Sequence, residues 1–282
     1  MTSALVLISA FLHALWNALL RLEHDKDRAL VAATVFAALF AVVVTGVRWG
    51  FGATPVAALA GLGFAALAGV FEAVYFATLG AAMARGTLGT VYTVSRGGAV
   101  LVVWPLSAVV FGEEVTRASI AGSALVLAGL AFSGLAARRS EAKGSERAAV
   151  AWAVACAVAI AGYHLGYTAA LRSGVNPSAC FAVALSVAAA INVARLGRGR
   201  VALMAVARAR WPRLALIGVV CGGSFLLLME ALAVGGSGFV ITLRNTSVLF
   251  AAGLGWAIGE RPTWQQLAGA VLVVAGAAVI AS

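Results

Sequence analysis

Ten apolar runs, each long enough to cross a bilayer, decide what this chain can become. They fall at about 3–20, 29–48, 56–82, 88–110, 117–137, 149–171, 177–194, 212–234, 236–257 and 264–281. A helix of about 20 apolar residues covers the ~30 Å hydrocarbon core, and in lipid a helix satisfies its backbone within one segment. Composition agrees: 63% of the 282 residues are hydrophobic, 11% are charged, and the mean hydropathy is +1.02. Soluble domains carry about one-quarter charged residues. The sequence therefore predicts an all-α polytopic membrane protein with ten transmembrane helices. Its 32 glycines fit that class, because helices in lipid associate through close packing of small residues. Gly218-x-x-x-Gly222 and Gly255-x-x-x-Gly259 have the spacing of such contacts.

Short polar joints separate the runs: EHDKDR at 23–28, Pro55, Arg85-Gly86, RRSEAKGSER at 138–147, Asn176-Pro177 and an arginine-rich stretch from Arg195 to Arg213. None has room for a soluble domain. The last, with Trp211, is expected to lie along the lipid head groups as a loop. Trp49, Trp152, Trp211 and Trp264 sit at span ends, where tryptophan anchors the interface. The net charge of +10 raises nucleic-acid binding, but the basic residues are scattered among the joints rather than gathered on one face. Cys156, Cys180 and Cys221 lie inside apolar runs without paired spacing, so they read as packing residues and not as disulfides or metal ligands. No basic region precedes the first run, so it is expected to be retained rather than cleaved.

The chain repeats itself. HALWNALLR at 13–21 matches HLGYTAALR at 164–172, at an offset of 151. Arg96 matches Arg244 at 148, and GSALVLAG at 122–129 matches GAVLVVAG at 269–276 at 147. Five helices used twice give units 1–140 and 148–282. An odd number per unit turns the second copy upside down, which is a transporter architecture with its site near mid-membrane. Fifteen of the 20 Lys and Arg lie in the joints after helices 1, 3, 5, 7 and 9; three (Arg48, Arg117, Arg172) lie on the other side, and two, Arg96 and Arg244, lie inside spans. That bias makes the first set of joints cytoplasmic and both termini periplasmic.

Charged and polar residues inside the spans are costly and mark function. Arg96 lies about eight residues, or ~12 Å, into the fourth span, and Arg244 is equally deep in the ninth. Either can form a bidentate fork for a carboxylate, or brace the halves against carbonyls or acids. Glu72 and Glu230 lie at depths like those of Arg96 and Arg244, so each pair can neutralise itself. Alternatively, a glutamate there meets a substrate ammonium or carries a coupling proton. His13, Trp16 and Asn17 share one helix face, and His164 and Tyr167 repeat it. With Tyr75, Tyr92, Ser95 and Tyr163 they are expected to line the bundle interior, where aromatic rings grip apolar or cationic groups. The competing assignment is plain packing. Gly97, Gly98 and Pro105 soften the fourth span, so a kink or hinge is expected there. Glu113, Glu114 and Glu260 are expected to complement helix N-terminal dipoles.

HALWNALLR, LGTVYTVSRGG at 88–98, FGEE at 111–114 and GER at 259–261 together resemble the ten-helix EamA-type exporters of the drug/metabolite transporter superfamily. Within them the chain is similar to the YddG-like amino-acid exporters of bacteria. The resemblance covers the whole chain. It implies a basket of ten helices around a central cavity, moving small metabolites out of the cell, and no motif names the cargo. Some relatives are drawn with cytoplasmic termini; the charge count here favours the opposite.

The leading expectation is an exporter of small zwitterions, most readily amino acids, in the bacterial cytoplasmic (inner) membrane, working by alternating access as a monomer. Exchange of phosphorylated sugars or nucleotide sugars ranks lower, because such cargo calls for several cavity cations and no Lys lies in any span. Efflux of lipophilic cations ranks lower because helix 1 lacks a carboxylate. No HExxH, Asp/His cluster or Ser-His arrangement marks an enzyme. No cofactor or metal is called for.

Overall fold

The computed structural model describes residues 2–54, 59–111, 116–139, 143–234, 240 and 243–280. They form ten α-helices: α1 (Thr2–Arg21), α2 (Lys26–Gly50), α3 (Leu59–Met83), α4 (Leu88–Phe111), α5 (Arg117–Arg139), α6 (Lys143–Arg172), α7 (Pro177–Arg195), α8 (Arg200–Val234), α9 (Ser247–Ala257) and α10 (Trp264–Ile280). A 3-10 turn at Gly197–Gly199 leads into α8, and no strand occurs among the described residues. Pro55, Gly112, Glu113 and Glu114 lie outside them, as does the side chain of Trp104.

Local chemistry sets the helix ends. The Asp25 side chain accepts from the Arg28 N–H at the start of α2, and Asn176 accepts from Ser178 N–H ahead of Pro177 at the first position of α7. Both satisfy amides that a helix start leaves unpaired. Helix α9 closes at Gly259, whose φ of 91° suits glycine alone; its N–H reaches Trp256 O while Glu260 N–H reaches Gly255 O. Gly255-x-x-x-Gly259 is therefore a helix terminus and not a helix–helix contact, because a Cβ on Gly259 would meet nothing.

Among the described residues, six helices, α1, α2, α3, α6, α7 and α8, are long and apolar enough to cross a membrane; α9 and α10 are shorter, at 11 and 17 residues. Large apolar side chains face outward, as Val43 (61% exposed) and Val109 (83%) do. Lipid is the environment in which that face costs nothing. Trp49 and Trp264 are exposed at helix ends, as interface anchors should be, whereas Trp152 and Trp211 are exposed within α6 and α8, Trp211 beside the kink at Arg210. The three cysteines are buried and unpaired.

Helix pairs pack through glycine. Gly69 of α3 sits on the Ala184 carbonyl of α7, and Gly218 of α8 lies where a Cβ would fall 2.6 Å from the Ala33 carbonyl of α2. Helices α5 and α10 cross at Gly122 against the Gly276 carbonyl and at Gly129 against the Gly269 carbonyl. Further pairs are α3 with α6, α1 with α8, α4 with α6, α1 with α9 and α2 with α7.

Ion pairs join alternate connections at each end of the bundle. Arg21 and Glu260 (2.8 Å), Arg195 and Asp27, and Arg210 and Arg213 with Glu23 (2.8 and 2.7 Å) lie at one end; Arg48 and Glu230 lie at the other. The Glu23 pairs explain one departure from expectation. The stretch after Arg195 is not a loop: it winds into α8 from Arg200, with a kink at Arg210 (φ −130°, ψ 19°) two residues before Pro212. Proline removes a ladder hydrogen bond there, and the single Glu23 carboxylate pairs with both Arg210 at the kink and Arg213 just after it. A second departure is at the ninth span. It is interrupted by a turn at Asn245–Thr246, just after Arg244.

Glu260 acts as the expected dipole partner, and the helix it serves is α4. Its Oε2 accepts from the Leu88 N–H at 2.8 Å while Oε1 accepts from Arg21 Nε, whose Nη1 donates to Met83 O. One carboxylate thus ties the ends of α1 and α3 to the start of α4. Glu260→Ala should cost about 1–2 kcal/mol for the lost charged hydrogen bonds, read as a melting temperature about 2–6 °C lower; an unchanged melting temperature would refute that role.

Candidate functional site

Two guanidiniums meet at one histidine in the bundle interior. His13 (0% exposed) is placed by α1, Arg96 (4%) by α4, and Arg244 (2%) lies directly before the break at Asn245. Arg96 Nη2 contacts His13 Nε2, and Arg244 Nη2 lies 3.0 Å from His13 Nδ1. Trp16 Nε1 approaches the same Nδ1 at 3.2 Å. A neutral imidazole offers one acceptor nitrogen, so three donor groups surround a ring that can satisfy one of them fully. Arg244 also donates to Ser9 Oγ at 3.1 Å, and Ser9 donates to Ser224 O at 2.6 Å. Its guanidinium carbon lies 4.7 Å over the Phe225 ring, a cation–π contact.

No carboxylate lies within ion-pair distance of Arg96 or Arg244 among the described residues. This overturns both self-neutralising pairs. Glu230 pairs instead with Arg48 at the end of α2, half-exposed, because α8 carries it toward that end of the bundle. It therefore leaves the candidate site. Glu72 is fully buried, and neither of its oxygens has a hydrogen-bond partner. The Tyr167 hydroxyl lies next to the Glu72 carboxyl without reaching hydrogen-bond geometry, and the hydroxyls of Tyr163 and Tyr167 are likewise unpartnered.

Aromatic rings join these two polar centres. Tyr163 contacts Tyr75 at 5.5 Å, Tyr167 at 5.4 Å, His164 at 4.7 Å and Phe225 at 6.0 Å between centroids. Phe225 stacks on Phe181 at 5.2 Å and 4°, and its edge meets His13 at 5.3 Å. A pocket beside the arginines is lined by Arg96, Arg244, Asn245 and His164 against apolar walls that include Val100 and Ile160.

Other sequence candidates are buried here but already engaged. The Tyr92 hydroxyl donates to His13 O at 2.8 Å and accepts from Asn17 Nδ2 at 2.9 Å; Asn17 Nδ2 also donates to His13 O. Ser95 donates back to Val91 O within α4. Gly97 and Gly98 do not break α4, which is helical through Pro105; they let Val273 and Ala157 approach to where a Cβ would lie at 3.0 Å. Sequence reasoning missed Ser9, Phe225, Phe181 and Asn245. Ser9 was within reach of it, being one turn before His13 on the same face.

Residues 147–282 match the model of the EamA-like transporter family. No curated protein matches the chain. A solved crystal structure aligns over 99% of this chain and 96% of its own, with a TM-score of 0.66 and 19% sequence identity; the likeness is one of fold.

Proposed function

We infer that this chain, whose residues 147–282 belong to the EamA-like transporter family of the drug/metabolite transporter superfamily and which is a multi-pass membrane protein, exports amino acids. One observation carries the reading: two buried arginines converge, and among the described residues no carboxylate pairs with either. Uncompensated buried charge is expensive, and a substrate carboxylate supplies the missing partner in bidentate form. Glu72, unpartnered beside Tyr163 and Tyr167, is the complementary group for the ammonium. His13, Trp16 and Tyr75 complete the walls.

Alternating access through a five-plus-five inverted repeat, units 1–140 and 148–282, is part of the proposal. Packing supports it. Exchanging the halves turns the pair α3–α6 into α8–α1, α2–α8 into α7–α3 and α4–α6 into α9–α1, and all six pairs occur. The Gly69 contact with Ala184 becomes the Gly218 contact with Ala33, at offsets of 149 and 151. The broken ninth span also suits a carrier, whose discontinuous helices commonly face the substrate. The membrane would be the bacterial inner membrane with both termini periplasmic. A C-terminal alkaline phosphatase fusion should then be active, and activity only from a cytoplasm-dependent reporter would reverse the orientation.

The function is tested by counterflow of labelled amino acids in liposomes carrying the purified protein. Wild type should accumulate them. Glu72→Gln should lower accumulation about tenfold or more, the worth of one charge-assisted bond, with the melting temperature unchanged or raised. Equal counterflow in wild type and Glu72→Gln would remove Glu72 from the site.

A further inference from the structure

The pocket beside the arginines has a size as well as a sign. It offers about 10 Å³, room for one water-sized occupant and far too little for an amino acid. Two of the residues that line it carry donors with nothing to donate to: Arg244 Nε and Asn245 Nδ2 are buried without partners. Asn245 is 4% exposed and Arg244 2%. The break at Asn245–Thr246 also starts α9 beside the pocket, adding the partial positive charge of a helix amino end.

We propose that this pocket binds a small inorganic monoanion, chloride in the cell, held by Arg96, Arg244 and Asn245 whenever no substrate carboxylate occupies them. Chloride is monatomic and far nearer to water in size than sulfate or phosphate, so of these anions it is the one the pocket suits. The apolar side formed by Val100 and Ile160 suits a weakly hydrated ion, and neutralising one of two buried cations offsets much of their desolvation. The anion site goes beyond the amino-acid reading and needs it only for competition: carboxylate and chloride would then occupy one place in turn.

The test uses the purified full-length protein in detergent, with sodium gluconate replaced by sodium chloride at constant ionic strength. Chloride and bromide should stabilise saturably, by about 3–5 °C at roughly ten times the dissociation constant, and sulfate should not. Asn245→Ala should weaken the effect at least several-fold. Should that variant not fold, chloride NMR line broadening on wild type, reversed by bromide, answers the same question. Equal melting in gluconate and chloride, or no line broadening, overturns the site, as does an unaltered chloride effect in folded Asn245→Ala. A transported amino acid should raise the chloride midpoint. Chloride binding that no amino acid displaces keeps the anion site and sinks the carboxylate reading; counterflow without chloride binding does the reverse.

Discussion

Arg96→Ala is expected to lower amino-acid counterflow by at least about 30-fold, because truncating one partner of a buried, hydrogen-bonded charge pair costs about 2–5 kcal/mol. The melting temperature should stay within about 2 °C of wild type or rise. The two readouts together separate a binding residue from a brace. A brace would be paired in the empty protein, and its removal would strand its partner. Among the described residues Arg96 hydrogen-bonds only to a histidine that Arg244 and Trp16 also approach, so its charge gains little from that partner. A large fall in melting temperature with transport reduced only in proportion to folded protein would assign Arg96 to structure. Arg96→Lys should recover little, since an ammonium cannot form the planar fork.

Gly122→Ala should be among the most damaging single methyls at the helix contacts. A Cβ at Gly122 would lie 2.5 Å from the Gly276 carbonyl oxygen and 2.6 Å from Ile280 Cγ1. The oxygen belongs to a backbone and cannot rotate away, so α5 and α10 must part. Overpacking of this kind costs typically 1–3 kcal/mol, and backbone contact puts this case at about 3, or about 6–12 °C in melting temperature. Gly253→Ala is the matched control. Its Cβ meets nothing within 4 Å, and alanine is the better helix former by about 1 kcal/mol. Thermal unfolding of both variants in one detergent decides; similar melting of the two would mean that α5 and α10 do not cross this closely.

Much of this was legible in the sequence, for identifiable reasons. Arg96 and Arg244 stood out because a guanidinium within an apolar run has no innocuous reading, and both are buried as expected. His13 was marked by its echo at His164, and both belong to the interior cluster. Glu230 was misjudged because counting from a helix end gives depth but no neighbour; Arg48, two residues from the end of α2, claims it. The path of the chain after Arg195 was also misjudged. Its arginines and Pro212 look like a joint until Glu23 is brought across to pair with two of them. Asn245 carried no signal at all. The break it occupies contains neither glycine nor proline; there Thr246 bonds back to Leu243 and Val248 to Asn245, three residues away rather than four. Tyr92 and Ser95 have the right burial for a site, but their hydroxyls serve the protein itself. Sequence can place a hydroxyl in a bundle; only packing decides whether it is spent.

The measurement that bears most directly on the carboxylate site is counterflow by wild-type protein of one labelled amino acid beside its amide, which lacks the carboxylate, and its N-acetyl derivative, which lacks the ammonium. A sugar phosphate and a lipophilic cation complete the panel. An arginine pair set against Glu72 predicts accumulation of the free amino acid, with both blocked forms at least about tenfold weaker, the cost of one lost charge-assisted contact. Accumulation of the amide equal to that of the amino acid, or of the sugar phosphate or lipophilic cation in place of it, would contradict the carboxylate site at its centre.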